Sequence, residues 1–536
     1  RSNMRITNKI MQRNNLSNIN TNKIYQDKLS TQMSTQKKIN RPSDDPVVAI
    51  RALRLRSNVT EVTQYYSKNI PDAESWLEVT EGAIKNLSQV ITNMIGQCES
   101  GSNGPLTTKN REIILEQLKA LSDEVYSTGD SDYAGRYVFT GYRTDTSLSF
   151  LNSEELNYRL TEQLDSSAID TITNVNTGKL LDINSSNYND AASGMDQIKE
   201  QDISSVDVHR IRLAYNDCSD SKDPKSAPKI EFTTIDGSGK LFNNVWSGFD
   251  DNGGDFKMMH LYDKDAATNE DPYTYAANNK DALVYIPETG EILLGEDRFS
   301  QLMGTKDDET TPNLNEAEIR VTYDKKNWEK GDLRPQHYFA CEADGVEYNQ
   351  SYLTPNAERQ VIEYDVGFNQ TIRVNSTADE CFKHSVGREV DDLTSAIQNV
   401  LDLEGVQANI NEIMKSLPDD DPNLPILKNQ LKAVEKALTY AKDKEQKQFE
   451  SSITAFQKHL DDASLCITNC GSRSSKLELV KNRMQNQKTT FETLKSENED
   501  VDITEVAIEL SAAELTYDAA LMAAGKVMQT TLLNFI

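Results

Sequence analysis

Apolar residues recur at alternating steps of three and four along both ends of the chain, and this spacing predicts long amphipathic helices. Near the C-terminal end the series has the regularity of a coiled-coil seam. Its members are Ile503, Val506, Leu510, Ala513, Tyr517, Ala520, Ala524 and Val527. Comparable series between residues 55 and 125, and between residues 427 and 494, predict further helices. Each helix has one apolar face and therefore needs a partner.

The pattern changes between Gly141 and about Thr377, where Gly, Asn, Asp and Ser separate short runs of alternating apolar and polar residues. Alternation of this kind predicts β-strands. The clearest runs are KIEFTTIDG, ALVYIPETGEILLG and EIRVTYD, and the second is predicted to turn as a hairpin at residues 288–290. The helical pattern resumes near Val390, and LPDDDPNLP interrupts it before the next long helix.

We therefore predict an α+β fold: an elongated rod of long antiparallel coiled-coil helices formed by both termini, with a β-rich domain inserted in the middle of the chain. Residues 4–38 and 503–536 would form the terminal helices, residues 39–145 and 385–502 the helical rod domain, and residues 146–384 the inserted outer domain. Residues 1–3, which precede Met4, are interpreted as a cloning remnant.

The charges of the two ends are complementary and support this pairing. Up to Ser43 the chain carries nine Lys or Arg residues and a single acid, Asp27. The C-terminal segment carries four acids and one base, namely Glu505, Glu509, Glu514, Asp518 and Lys526. A solvated basic arm is the alternative interpretation of the N-terminal charges, but the helical pattern at both ends favours pairing.

The sequence RPSDDPVVAI marks the start of a helix. Asp44 or Asp45 can cap the exposed backbone N–H groups, and Pro46 fits the first turn, where its missing N–H is not needed.

The overall composition excludes several classes of function. A net charge of −28 and a pI near 4.7 argue against nucleic acid as a partner, because duplex binding needs clustered Lys and Arg. No apolar run approaches the roughly 18 residues that a membrane span needs. No apolar segment follows Met4, so we expect neither a membrane anchor nor a cleaved signal peptide.

Candidate catalytic and metal-binding residues are few, so we expect no enzyme activity and no metal or cofactor. The five histidines are isolated, and the sequence has no HExxH, GxSxG or P-loop motif. Cys466 and Cys470 stand four residues apart but have no second Cys/His pair nearby in the sequence. The segment GFDDNGGDF could bind calcium, but a polar turn is favoured because the ligand spacing of an EF-hand is missing.

Several motifs resemble the flagellin superfamily, and within it the hook–filament junction proteins. At the N-terminal end these are MRITNKIM, QMSTQKKINRPSDDPVVAIRALRLRSN, WLEVTEGAIKNLSQVITNM and AGRYVFTGYRTDT; at the C-terminal end they are GSRSSKLELVKNRMQNQ and SENEDVDITEVAIELSAAELTYDAALMAAGKVMQTTLLNFI. The chain departs from filament flagellin at Asn93 and Ile95, at residues 137–141 and in its ending LLNFI. These departures favour a junction protein.

The resemblance implies a structural role in the bacterial flagellum. A ring of about eleven copies would lie between hook and filament, and flagellin would assemble on it. The implied partners are other copies of this chain, the first hook-associated junction protein, flagellin, the filament cap protein and an export chaperone. The protein would be extracellular, exported through the flagellar type III apparatus, and it would bind neither nucleic acid nor membrane.

Two sets of residues are predicted to serve this role. The assembly interface on the terminal helices comprises Ile6, Ile10, Leu16, Ile19, Val506, Leu510, Ala513, Tyr517, Leu521, Ala524, Val527, Leu532 and Leu533. By resemblance alone, the joint between the terminal helices and the rod domain comprises Asn40, Pro42, Asp44, Asp45 and Pro46. Two alternatives stay open: a filament flagellin, and a flagellar scaffold whose insert has its own glycan-binding or hydrolytic activity.

Overall fold

The computed structural model describes residues 8–104, 106–235, 241–268, 270–303, 319–353, 360–418 and 420–529. Helices and β-sheets are both present, as the sequence predicts. The chain divides into two compact units, which we describe separately. The first consists of the described parts of residues 1–74, 364–372 and 475–536, and the second of those of residues 75–363 and 373–474.

The helices are α1 (Asn8–Thr35), α2 (Pro46–Gln64), α3 (Ile70–Ser102), α4 (Thr108–Gly129), α5 (Pro272–Asn278), α6 (Glu296–Met303), α7 (Ala378–Cys381), α8 (Ser385–Ser416), α9 (Leu424–Glu499) and α10 (Ile503–Gln529). The predicted series between residues 427 and 494 belong to one helix, α9, of 76 residues. The predicted break lies between α8 and α9. None of the described helices is both long enough and apolar enough to cross a membrane.

The strands are β1 (Asp132–Tyr133), β2 (Arg136–Tyr137), β3 (Glu154–Leu164), β4 (Ile169–Asn176), β5 (Ser204–Arg212), β6 (Lys229–Ile235), β7 (Leu241–Ser247), β8 (Lys257–Met258), β9 (Leu283–Ile286), β10 (Glu291–Leu294), β11 (Ile319–Trp328), β12 (Ala340–Ala343), β13 (Val346–Tyr348), β14 (Glu363–Gly367) and β15 (Gln370–Arg373). They include the predicted KIEFTTIDG strand as β6 and the EIRVTYD strand within β11. Two short helices, α5 and α6, lie among them and were not predicted from the alternating pattern.

The second unit contains two larger sheets. One has six strands in the order β13-β12-β3-β11-β6-β7, and its pairs are antiparallel. The other has five strands in the order β4-β5-β10-β9-β8, in which β8 and β9 run parallel. The core beside the six-stranded sheet is aromatic: the Trp328 ring stacks on Phe150 at 4.9 Å between centroids and meets Tyr158 edge-on at 5.2 Å.

The predicted hairpin is confirmed, because β9 pairs antiparallel with β10 and Ile286 faces Glu291. Gly290 in its turn has φ of +61°, a conformation that favours glycine. A Cβ atom at this position would lie 1.9 Å from the carbonyl oxygen of Tyr215, so the close approach also requires glycine.

Buried ion pairs join the five-stranded sheet to α8 within the second unit. The Arg210 guanidinium on β5 donates to Asp170 at 2.6 Å and to Asp392 of α8 at 2.9 Å, and it also pairs with Glu291 on β10. Because the Arg210 side chain is almost fully buried, its charge depends on these acids for compensation.

The helical part of the second unit has a separate apolar core. It is formed mainly by one face of α8 and one face of α9, including Val400, Leu403, Ile410, Leu427 and Val434. Leu180, Ile183, Met195 and Ile198, from the segment between β4 and β5, complete this core. The heptad-like spacing in the sequence therefore corresponds to a real apolar interface here.

Acid is expected to destabilise the second unit through three histidines. Desolvation lowers the pKa of His384 to about 3 and those of His337 and His459 to about 4. The unfolded chain binds protons near the ordinary pKa of about 6.5, so between that pH and about 4 it takes up protons that the folded unit does not. The free energy of unfolding should therefore fall as pH is lowered through this window, by up to about 1.4 kcal/mol per pH unit for each ring.

Urea unfolding at several pH values between 4.5 and 7 tests this expectation. His459→Gln should reduce the slope of the unfolding free energy against pH. His260→Gln should not, because Glu288 raises the pKa of that ring and its effect has the opposite sign. An unchanged slope in His459→Gln would contradict the lowered pKa assigned to His459.

Candidate assembly surface

The first and last described helices pack against each other within the first unit. Leu29 of α1 and Val506 and Ala513 of α10 form a buried apolar cluster, and Val501 and Leu510 pack at its edge. The Tyr25 hydroxyl donates to the Glu509 carboxylate at 3.1 Å. Later residues of α10 therefore contact earlier residues of α1, so the two helices run antiparallel.

Polar contacts extend this pairing beyond the ends of both helices. The backbone N–H of Lys38 donates to the carbonyl of Glu499 at 2.7 Å, and that of Val501 donates to the carbonyl of Gln36 at 3.2 Å. Lys37 and Asp500 form an ion pair between these backbone contacts. This ion pair raises the pKa of Lys37 and lowers that of Asp500.

Glu499 joins a third segment to the pair. Its carboxylate is buried and accepts two hydrogen bonds from the Arg56 guanidinium of α2, at 2.6 and 2.8 Å. This bidentate contact holds the pKa of Glu499 below its usual value. Lys37 lies 3.6 Å from the same carboxylate. The sequence analysis did not select Glu499, since its burial depends on a partner 443 residues away in the chain.

The predicted joint residues form a compact polar turn before α2. The Asp44 carboxylate accepts the backbone N–H groups of Asn40 and Arg41, and these two bonds lower its pKa. Asp45 is the residue that caps α2, because its carboxylate accepts the N–H groups of Val47 and Val48 at 3.0 and 3.1 Å.

Pro46 opens α2, as the sequence predicts, and Pro42 is exposed in the turn. The contacts account for the structure of the turn, and its role as a joint stays a prediction.

The predicted interface residues differ in exposure. Val506 and Ala513 are buried by the pairing; Ile19, Leu510, Tyr517 and Ala524 are half-buried; Ile10, Leu16 and Leu521 are exposed. Ile6, Leu532 and Leu533 lie outside the described residues, as does the side chain of Val527. The structure thus brings together the C-terminal part of α1 and the first half of α10.

A second apolar row on α10 stays uncovered. Ile508, Leu515 and Met522 are spaced by seven residues and are 67%, 73% and 66% exposed. On α2, Val47, Ile50 and Leu53 are 67%, 55% and 63% exposed, and the sequence analysis did not select them. Their spacing of three residues was a usable signal, but a periodicity alone does not distinguish a covered face from an uncovered one.

The residues considered for chemistry make structural contacts. Among the described residues there is no group of three or more His, Cys, Asp or Glu side chains that could hold a metal ion. In the GFDDNGGDF turn, Asp255 accepts the Ser247 N–H at 3.0 Å and pairs with Arg298. Cys470 donates to the carbonyl of Leu77 at 3.4 Å.

Removing the charge of Glu499 is expected to weaken the first unit. Glu499→Gln loses the charge-assisted contact with Arg56 and should lower the free energy of unfolding by about 1 kcal/mol, since water screens the half-exposed Arg56. Glu497→Gln removes the same charge from an exposed position two residues earlier in the same helix and is the control. Equal stability of the two variants in urea unfolding would contradict the role given to Glu499.

Comparison with known proteins finds similarity over part of the chain. Residues 6–144 match the bacterial flagellin N-terminal helical region. The chain is 29% identical over 143 residues to flagellar hook-associated protein 3 of Salmonella typhimurium strain LT2 and 28% identical over 144 residues to its counterpart in Escherichia coli strain K12. The alignments cover 26% and 27% of this chain and 45% of each relative, so the chain spans less than half the length of either curated relative.

Among solved structures, flagellar hook-associated protein 3 of Legionella pneumophila is similar at 11% identity, with a TM-score of 0.28, over 82% of this chain and 98% of that chain. The resemblance of this chain to flagellar hook-associated protein 3, which the sequence motifs indicate, is confirmed by the curated relatives, and its N-terminal part carries the flagellin helical region.

Proposed function

We propose that this protein is a structural junction protein of the bacterial flagellum, which forms a ring between hook and filament on which flagellin assembles. The observation that carries the proposal is the second apolar row of α10. One face of α10 packs against α1, while Ile508, Leu515 and Met522 remain exposed on another. The similarity to two flagellar hook-associated proteins supports the same role.

Burial between subunits would supply the free energy of assembly. Covering a large apolar side chain contributes about 1.5–3 kcal/mol, so three such residues per subunit stabilise a ring by several kcal/mol at each contact. Ile10, Leu16 and Leu521 would add to this surface. We infer that Val506 and Ala513 act indirectly, because they fix α10 on α1 and so determine which face of α10 is presented.

In this proposal the chain ends form an antiparallel coiled coil at one end of a rod, and the β-rich segment is an outer domain inserted in the chain. Residues 4–38 with 503–536 form the assembly domain, and residues 39–145 with 385–502 form the rod domain. The polar turn from Asn40 to Pro46 is the joint between them. The contacts of Lys37, Arg56 and Glu499 support this, since they connect three segments near that turn.

The proposed partners follow from the role. They are other copies of this chain in a ring of about eleven, the first hook-associated junction protein, flagellin, the filament cap protein during assembly and an export chaperone. The protein would reach the cell exterior through the flagellar type III apparatus. It acts by assembly rather than by catalysis.

Replacement of one exposed leucine tests the surface directly. Leu515→Ser should abolish filament attachment while changing the free energy of unfolding of the isolated protein by less than about 0.5 kcal/mol, since the side chain is 73% exposed there. Leu479→Ser is the matched control, because Leu479 on α9 is 72% exposed and lies outside the proposed surface. Filament counts by electron microscopy and flagellin in the culture medium give the readout.

Normal filaments on cells that carry Leu515→Ser would contradict the proposed surface, and so would an equal loss of filaments with Leu479→Ser.

Deletion distinguishes a junction protein from a filament flagellin. Cells that lack the protein, or that carry it without residues 506–536, should make hooks and release flagellin without filaments. The purified full chain should not polymerise into long filaments by itself. Long filaments of this protein alone would instead support the flagellin alternative.

A further inference from the structure

Helix α2 buries one side within the first unit and exposes an apolar row on another. Ala49 and Ala52 are buried, whereas Val47, Ile50 and Leu53 are each more than half exposed. The exposed row extends about 9 Å along the helix axis. Contiguous apolar residues on a surface are typical of a contact with another molecule. We call residues 47–54 the α2 face.

Two exposed arginines border this apolar row. Arg51 lies one turn after Val47, and Arg54 lies one turn after Ile50. With the other described residues, neither guanidinium forms an ion pair. Packing of the α2 face against the same face of another copy would bring like charges together, which costs free energy. The surface that fits the α2 face is therefore apolar and acidic.

The second apolar row of α10 has this character. Glu514 and Asp518 are exposed beside Leu515, and they lie four residues apart, on one side of the row. Within the described part of the chain these two carboxylates also have no ion pair. The α2 face and the row on α10 thus each combine apolar residues with two like charges on one side, and the charges of the two surfaces are opposite in sign.

We propose that the α2 face of one copy binds the second apolar row of α10 on a neighbouring copy, with Arg51 and Arg54 opposite Glu514 and Asp518. This inference rests on the proposed function, since it names the surface that covers the row centred on Leu515. Burial of the apolar side chains supplies the free energy of the contact. The charge pairs select the partner surface and its orientation.

Such a contact leads to a ring rather than to a dimer. It joins two different surfaces of the same chain, so each added copy still offers one free surface of each kind, and growth ends only when the series closes. The row from Ile508 to Met522 is about 21 Å long, whereas the α2 face covers about half of that length. Part of the row is therefore left for a second neighbour.

Cross-linking between two variants tests the contact in hook-attached assemblies. Cells produce Ile50→Cys and Leu515→Cys together, as separate chains. The six native cysteines are buried, so a short bismaleimide should join the introduced thiols across two packed helices about 8–10 Å apart. Trypsin should then release residues 39–51 linked to residues 496–526. Because each chain carries only one substitution, this product shows a contact between copies.

Ile113→Cys produced with Leu515→Cys is the matched control. Ile113 on α4 is 47% exposed, against 55% for Ile50, and it lies outside the proposed contact. This combination should give no linked peptide. An equal yield of linked peptide in the control would overturn the inference, and so would a link that joins only position 515 of one copy to position 515 of another.

Alkylation of position 515 separates this inference from the proposed function. If position 515 is protected in the assemblies but never links to position 50, another surface covers the row; the inference then fails and the proposed function stands. If position 515 reacts as fast in the assemblies as in the isolated protein, the row is not an assembly surface and both fail.

A charge exchange tests the polar part of the contact. Arg54→Glu and Asp518→Arg should each lower the number of filaments per cell by at least about tenfold, because each brings like charges together. The double variant restores opposite charges and should recover most filaments. Both residues are exposed, so folding should be unaffected. Unchanged filaments in both single variants, or a double variant no better than either, would overturn the proposed pairing.

Discussion

The apolar contact between α1 and α10 is the interaction on which the account of this protein depends. Leu29, Val506 and Ala513 bury one face of the C-terminal helix against the first helix. This burial fixes the rotation of α10 about its axis, so that Ile508, Leu515 and Met522 point away from α1 and stay accessible. The pairing therefore both holds the chain ends together and defines the surface proposed for assembly.

Some of the opposite charges near the two ends of the chain form direct ion pairs. Lys37 meets Asp500 and Glu499, and Arg56 shares the Glu499 carboxylate. Exposed ion pairs contribute little to stability, but Glu499 is buried and hydrogen-bonded through both oxygens, which makes its contact specific in geometry. The complementary charges thus select a register in addition to attracting the ends.

Much of the secondary structure could be predicted because its signals are local. The cap of α2 by Asp44 or Asp45, the hairpin around Gly290 and the break between α8 and α9 each follow from a few adjacent residues, and the structure selects Asp45 as the cap. Contacts between residues far apart in the sequence could not be predicted from it. The burial of Glu499 requires Arg56, and the hydrogen bond from Cys466 to the carbonyl of Glu380 requires a fold that brings α7 against α9. The exposed face of α2 was missed for a related reason, since its periodicity resembles that of a covered face.

The central claim is that the second apolar row of α10 is open in the isolated protein and covered in the assembled flagellum. Thiol labelling of Leu515→Cys measures this directly, because the six native cysteines are buried, and Leu479→Cys serves as the reference position. The account predicts fast alkylation at position 515 in the isolated protein and strong protection in hook-attached assemblies, with little change at position 479. Equal labelling of position 515 in both states, or protection already in the isolated protein, would contradict it.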